Sequence, residues 1–188
     1  MRKTNPSERE KMILYHYVPK KSNVLKEGLL SFANNPNADI NYYIKRSGKT
    51  TKEGIIDWME SCFKGRSRGI RLFTSPLQWT EKSLRIKELV DSCELLSVDI
   101  AKLNEDGLVE AVYLKPSIFE KCNPPDIEKY NDEYLIKLNS IEDIDLNYKQ
   151  TFDKCDDSKG LRMAPLRFYV VVIKNGIIPP KYIKSCSL

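Results

Sequence analysis

Few side chains in this sequence are suited to chemistry, and most of them fall in its first half. His16 is the only histidine among 188 residues. It ends a short β-prone run, Ile13-Leu14-Tyr15, and is followed by Tyr17. An imidazole and a phenol at the mouth of a sheet can hold the hydroxyls and flat rings of a nucleotide. Further on, Tyr42-Tyr43 stand just before Lys45-Arg46, a grouping able to stack a base while neutralising phosphate. The run Lys64-Gly65-Arg66-Ser67-Arg68-Gly69 makes a basic, glycine-bracketed turn whose N–H groups and guanidiniums suit a diphosphate, although neither G-x-x-x-x-G-K-[ST] nor G-x-G-x-x-G is present. Cys62, Cys93, Cys122, Cys155 and Cys186 are widely spaced, without a C-x-x-C pair or a nearby histidine, and read as reduced packing residues rather than zinc ligands. Asp153, Asp156 and Asp157 lack EF-hand spacing, so no metal is expected. A cysteine hydrolase built on one of these thiols and His16 lacks any recognisable nucleophile context.

The elements that must position these groups follow from periodicity and punctuation. Pro19 ends the first strand because it has no N–H for a ladder. A helix follows, with Ser22 as N-cap, an apolar stripe of Val24, Leu25 and Leu29, and Gly28 as its stop. Residues 31–54 read as a long loop around a short helix or strand, and residues 55–64 as a helix. A strand is expected from Ile70, ending at Thr74-Ser75-Pro76, then a helix over 80–91 with Thr80 as cap. The turn signal Asn104-Glu105-Asp106-Gly107 predicts a hairpin from 93 to 114. Residues 115–131 are loop-like, and 133–138 are β-prone. Phe168 to Ile173 reads as a central strand, Asn175-Gly176 as a turn and Pro179-Pro180 as a closing bend.

Tyr15-His16-Tyr17 followed by Val24-Leu25-Lys26-Glu27-Gly28-Leu29 resembles the opening of the histidine-type ADP-ribosyltransferase fold, shared by poly(ADP-ribose) polymerases, DNA-modifying toxin transferases and tRNA 2′-phosphotransferases. The resemblance is strongest over residues 12–30, weaker over 69–79 and 131–146, and absent elsewhere. It implies an α+β fold with a split, mostly antiparallel β-sheet core and flanking helices. It also implies NAD as substrate and transfer of ADP-ribose to a protein or nucleic-acid acceptor. By the same resemblance His16 holds the adenosine ribose, Tyr17, Tyr43, Thr74 and Ser75 line the pocket, and Arg68 or Arg71 meets the diphosphate. Glu133 is then the catalytic carboxylate that works with His16. The sequence departs from the polymerase-type pattern in having Arg71-Leu72-Phe73 where those enzymes carry a stacking tyrosine, with Trp79 as a possible substitute. The acid-free strand 168–173 competes with 133–138 for the catalytic register; if it holds that place, the chain is an inactive nucleotide- or nucleic-acid-binding module using its basic N-terminal half.

Size and charge bound these readings. Residues 1–11 form a polar arm, and 12–188 suit one domain of ordinary globular composition. No apolar run approaches the roughly 20 residues needed to cross a bilayer, and the first residues lack the apolar core of a signal peptide. A cytoplasmic protein is expected, or one delivered into a host cytoplasm without such a signal. Positive charge is concentrated early: up to residue 90, 18 Lys and Arg face 9 Asp and Glu, whereas beyond it 13 face 17. That asymmetry suits a phosphate-bearing partner.

Overall fold

A computed structural model describes residues 12–76, 91–116, 135–148 and 167–186. The strands are β1 (Ile13–Pro19), β2 (Leu29–Leu30), β3 (Gly69–Leu72), β4 (Cys93–Asp99), β5 (Val109–Lys115), β6 (Ile136–Lys137), β7 (Phe168–Ile173), β8 (Ile177–Ile178) and β9 (Ile183–Cys186). The α-helices are α1 (Val24–Glu27), α2 (Asn41–Ser47), α3 (Lys52–Cys62) and α4 (Ile100–Glu105). Among the described residues the fold is α+β, and its strands pair antiparallel in the orders β1-β4-β9, β2-β8 and β3-β7-β5-β6. No helix among them is long and apolar enough to cross a membrane.

The two larger sheets meet at one point. Tyr15 N–H donates to the Phe73 carbonyl at 2.7 Å and Phe73 N–H to the Tyr15 carbonyl at 2.8 Å, an isolated bridge between β1 and the residue after β3. A continuing antiparallel ladder would place its next hydrogen-bonded pair at Tyr17 and Arg71. Instead the Arg71 carbonyl accepts from His16 Nδ1 at 2.7 Å. The half-sheets therefore part beside this bridge, and the imidazole spans the opening.

Alternation gives the four-stranded sheet two unlike faces. Ile70, Leu72, Val112, Tyr169, Val171 and Ile173 point into one apolar cluster, which also takes Leu14 and Val18 of β1 and Leu96 and Val98 of β4. The other parity, Arg71 on β3, Phe168, Val170 and Val172 on β7 and Tyr113 and Lys115 on β5, forms the outer face. Phe63, just past α3, lies against Tyr113 there, with ring centroids 4.1 Å apart.

Several expectations need correction. The hairpin from 93 to 114 does not form: β4 lies between β1 and β9, and β5 pairs with β7 and β6. Ile100 and Leu103, both fully buried, sit three residues apart on one face of α4, which Asp99 caps by accepting from Lys102 N–H at 3.0 Å. The 104–107 signal is that helix's stop. Gly107 is left-handed at φ 68°, Leu108 N–H reaches the Leu103 carbonyl, and Gly107 N–H reaches that of Asn104, the hydrogen-bond pair of a Schellman ending. At α1 the cap position is Asn23 rather than Ser22, and Leu29 leaves the helix stripe to pair with Ile178. Gly28 does end the helix, at φ 92°. The loop expected over 31–54 contains α2, and α3 starts early, at Lys52, because Thr51 Oγ1 accepts from Gly54 N–H at 3.1 Å. The β-prone run 133–138 yields only the exposed edge pair of β6. Phe168–Ile173 is a central strand, between β3 and β5. Glu133, Trp79, Cys122, Cys155, the aspartates 153, 156 and 157, the arm 1–11 and most of the helix expected over 80–91 lie outside the described residues.

Candidate functional site

The outer face holds a concave site of about 470 Å³, partly open to solvent, whose wall includes Phe32, Tyr43, Phe63, Arg66, Arg71 and Phe168. Its floor is Val170 and Gly69, and Leu135 closes one side. Rings and guanidiniums alternate around it. Arg71 lies over Phe168, 4.9 Å from the ring centroid, and Lys115 Nζ is 5.7 Å from the same ring. The Arg66 guanidinium sits 4.8 Å from Trp58 and 5.8 Å from Phe63. Phe32 and Tyr43 meet edge to face at 4.7 Å.

Arg66 is held in place by its neighbours. Glu60, from the last turn of α3, accepts hydrogen bonds from Gly65 N–H at 2.7 Å, Ser67 N–H at 3.0 Å and Ser67 Oγ at 2.6 Å. Burial works to raise the Glu60 carboxyl, but these three bonds and the charge of Arg68 bring it below its ordinary value. Gly65 is left-handed at φ 85°, and a Cβ there would come within 2.6 Å of Val172 Cγ1. The turn can therefore lie flat on β7 only with glycine at this position. One guanidinium nitrogen of Arg66, Nη1, is buried and has no hydrogen-bond partner among the described residues.

Like charges accumulate here. Lys115 is 4% exposed, and burial, followed by the charges of Arg71, Arg46 and Arg66, pushes its ammonium down to about 8. Arg66 and Arg71 form no ion pair with a carboxylate of the described residues; the ion pairs found there join Arg68 to Glu110, Arg167 to Asp145 and Lys181 to Asp106. Positive charge at a half-dry aromatic wall, without an acid to answer it, is complementary to an anion that brings a flat ring.

The predicted residues divide. Tyr43 and Arg71 come together in this wall. Arg68 does not join them: it points to the far end of β7, donating to the Lys174 carbonyl at 2.8 Å and pairing with Glu110 at 2.6 Å. That corrects its assignment to a diphosphate, since its charge already has a carboxylate. Thr74 Oγ1 donates to the Tyr148 carbonyl at 2.7 Å, and Ser75 is half-buried beside it. Tyr17 is half-buried on β1 with its hydroxyl inside.

His16 lies behind the pocket rather than in it. Its side chain shares the parity of Leu14 and Val18 and turns to the core side of β1. A carbonyl can only accept, so Nδ1 carries the proton and Nε2 of the neutral ring is an acceptor. Burial pushes this imidazole below its ordinary value, the bond to Arg71 opposes that, and the Arg71 charge adds to it. No carboxylate of the described residues takes part.

Sequence reasoning missed Phe32, Phe168, Lys115 and Glu60 as parts of a site. Only Lys115 left a usable sign: the alternation of Val109–Lys115 puts it on the face of Tyr113, and a lysine ending such a strand is a buried cation. No family model, curated protein or solved structure matches the chain.

Proposed function

We propose that the outer-face pocket binds a nucleotide, with phosphate oxygens on Arg66 and Arg71 and a planar ring among Phe32, Tyr43 and Phe168. The observation that carries this reading is the pairing of guanidiniums that lack a carboxylate with aromatic faces in one concavity. A phosphate supplies the missing anion and accepts in the fork geometry that arginine offers, while the ring replaces water on apolar walls.

In the form implied by the resemblance, the nucleotide is NAD and the reaction is ADP-ribosyl transfer. The glycosidic C–N bond breaks, nicotinamide leaves with the bonding pair, and an acceptor nucleophile on a protein or nucleic acid bonds to the anomeric carbon and loses its proton. Positive charge grows on the ribose, so a carboxylate beside it lowers the barrier. Glu133 is the residue assigned to that role, and Leu135, two positions after it, lines the pocket. The parting of the half-sheets beside His16 favours this second step of the reading.

The experiment is incubation with NAD labelled in its adenylate part, with protein and nucleic-acid acceptors, comparing wild type and Glu133→Gln. Label transfer and nicotinamide release that fall at least a hundredfold in the variant support the transferase form. Binding of ADP-ribose with neither release nor transfer leaves a nucleotide-binding module; transfer undiminished in Glu133→Gln removes the carboxylate assignment.

A further inference from the structure

We infer that the exposed side of α2 is a track for a single-stranded nucleic acid whose terminal nucleotide enters the pocket. This inference rests on the nucleotide reading only for that last nucleotide. Rings run outward without a break. Phe32 meets Tyr43 at 4.7 Å, and Tyr43 meets Tyr42 at 5.0 Å with the ring planes 89° apart. Tyr42 is 44% exposed, the most open of the large apolar side chains among the described residues. The Arg46 guanidinium lies 4.7 Å from the centroid of the Tyr42 ring, one helical turn along. It thus covers one face of the ring, and the other remains for a base to stack on.

The charge around these rings has one sign. From Asn41 to Lys52 there is no acidic residue, and Lys45, Arg46 and Lys49 are exposed. Lys52 turns back to the pocket, donating to the Asn35 carbonyl at 2.9 Å with its ammonium 6.0 Å from the Phe32 ring centroid. Cations in the last turn of a helix are favoured by its dipole whatever the partner, so Lys45 and Arg46 alone would say little. What selects the partner is the exposed ring set between them and the pocket. In a duplex the bases stack on one another and are closed to such a side chain, whereas an unpaired strand offers base faces and phosphates at alternating steps. An acidic peptide would use the cations but leave Tyr42 idle. The surface is continuous with the pocket electrically as well, because the charge of Arg46 contributes to depressing the Lys115 ammonium.

The test is fluorescence anisotropy with labelled single strands of about 12 nucleotides, one DNA and one RNA, on the full chain. Wild type should bind at least one of them with a log–log salt slope of about −2, as three phosphate contacts on a single strand give. It should bind the corresponding duplex more weakly. Tyr42→Ala should weaken the single strand roughly tenfold, as loss of one stacked base does, while Tyr42→Phe retains affinity and both variants keep the wild-type unfolding midpoint. Polyphosphate of equal charge binding as tightly as the strand, or Tyr42→Ala binding it unchanged, overturns the inference. Calorimetry with ADP-ribose separates the two readings: binding of ADP-ribose without binding of any strand sinks the track alone, and failure of both sinks the pocket with it.

Discussion

The two faces of the four-stranded sheet are made by alternate residues of the same strands, yet they answer to different demands. Along Phe168–Ile173 every side chain is buried, but Tyr169, Val171 and Ile173 meet only the apolar cluster and the polar groups at its rim, whereas Phe168 lies between Arg71 and Lys115. Burial by itself therefore does not distinguish core from site. What distinguishes them is the charge that one face gathers and leaves without carboxylate partners. The inner face holds the fold together; the outer face keeps an electrostatic cost that a ligand can relieve.

Substitutions should separate the faces. On the inner side, Leu72→Ala leaves a hole in a fully buried position and is expected to lower the free energy of unfolding by about 2–5 kcal/mol in urea. Equal stability would mean that the two half-sheets do not share this core. On the outer side, Arg71→Ala removes a guanidinium from an exposed position, so unfolding should stay within about 0.5 kcal/mol. Its affinity for ADP-ribose should fall roughly 10- to 100-fold, the size of one charge-assisted contact. Should Arg71→Ala instead cost mainly stability, the distinction between the faces is lost.

Gly65→Ala sharpens the boundary. It forces a Cβ against Val172 at a left-handed position and is expected to cost about 1–3 kcal/mol of stability while displacing Arg66. Both urea midpoint and ADP-ribose affinity should drop together. The smallest effect is a pH dependence. Lys115 titrates at about 8 in the folded protein and near 10.5 when exposed, so between those values the unfolded chain binds more protons and stability rises with pH. Its full penalty acts below pH 8 and is relieved above it, with a slope of at most about 1.4 kcal/mol per pH unit. Lys115→Met should abolish that rise in denaturation curves taken from pH 7.5 to 10; a slope that persists in the variant belongs to other groups.

How much of this was legible depended on whether a local rule and a tertiary demand agreed. The α+β class and the strands at 13–19, 93–99 and 168–173 were, because β-branched and aromatic runs bounded by Pro and Gly seldom do anything else. The hairpin failed because Asn104-Glu105-Asp106-Gly107 ends a helix as readily as it reverses a chain. Burial of Ile100 and Leu103 decided between them. In the site, Tyr43 and Arg71 were legible from their types, but Arg68 was misassigned because the sequence does not reveal that Glu110 lies across the sheet from it. Phe168 was read as a strand residue and nothing more, since only pairing in register brings Arg71 and Lys115 to its two sides. His16 stood out for its rarity, and no rule of spacing places its ring across the gap where the ladder between β1 and the strand after it stops.

The central claim is that the outer face receives a phosphate-bearing ligand, and Lys115 reports on it from within. The most direct measurement is the titration of the Lys115 amine by NMR, from pH 7 to 10, with and without saturating ADP-ribose. An anion on Arg66 and Arg71 offsets the charges that depress this amine, so its titration point should move up from about 8 toward the ordinary lysine value. A titration curve identical with and without bound ADP-ribose would contradict the account.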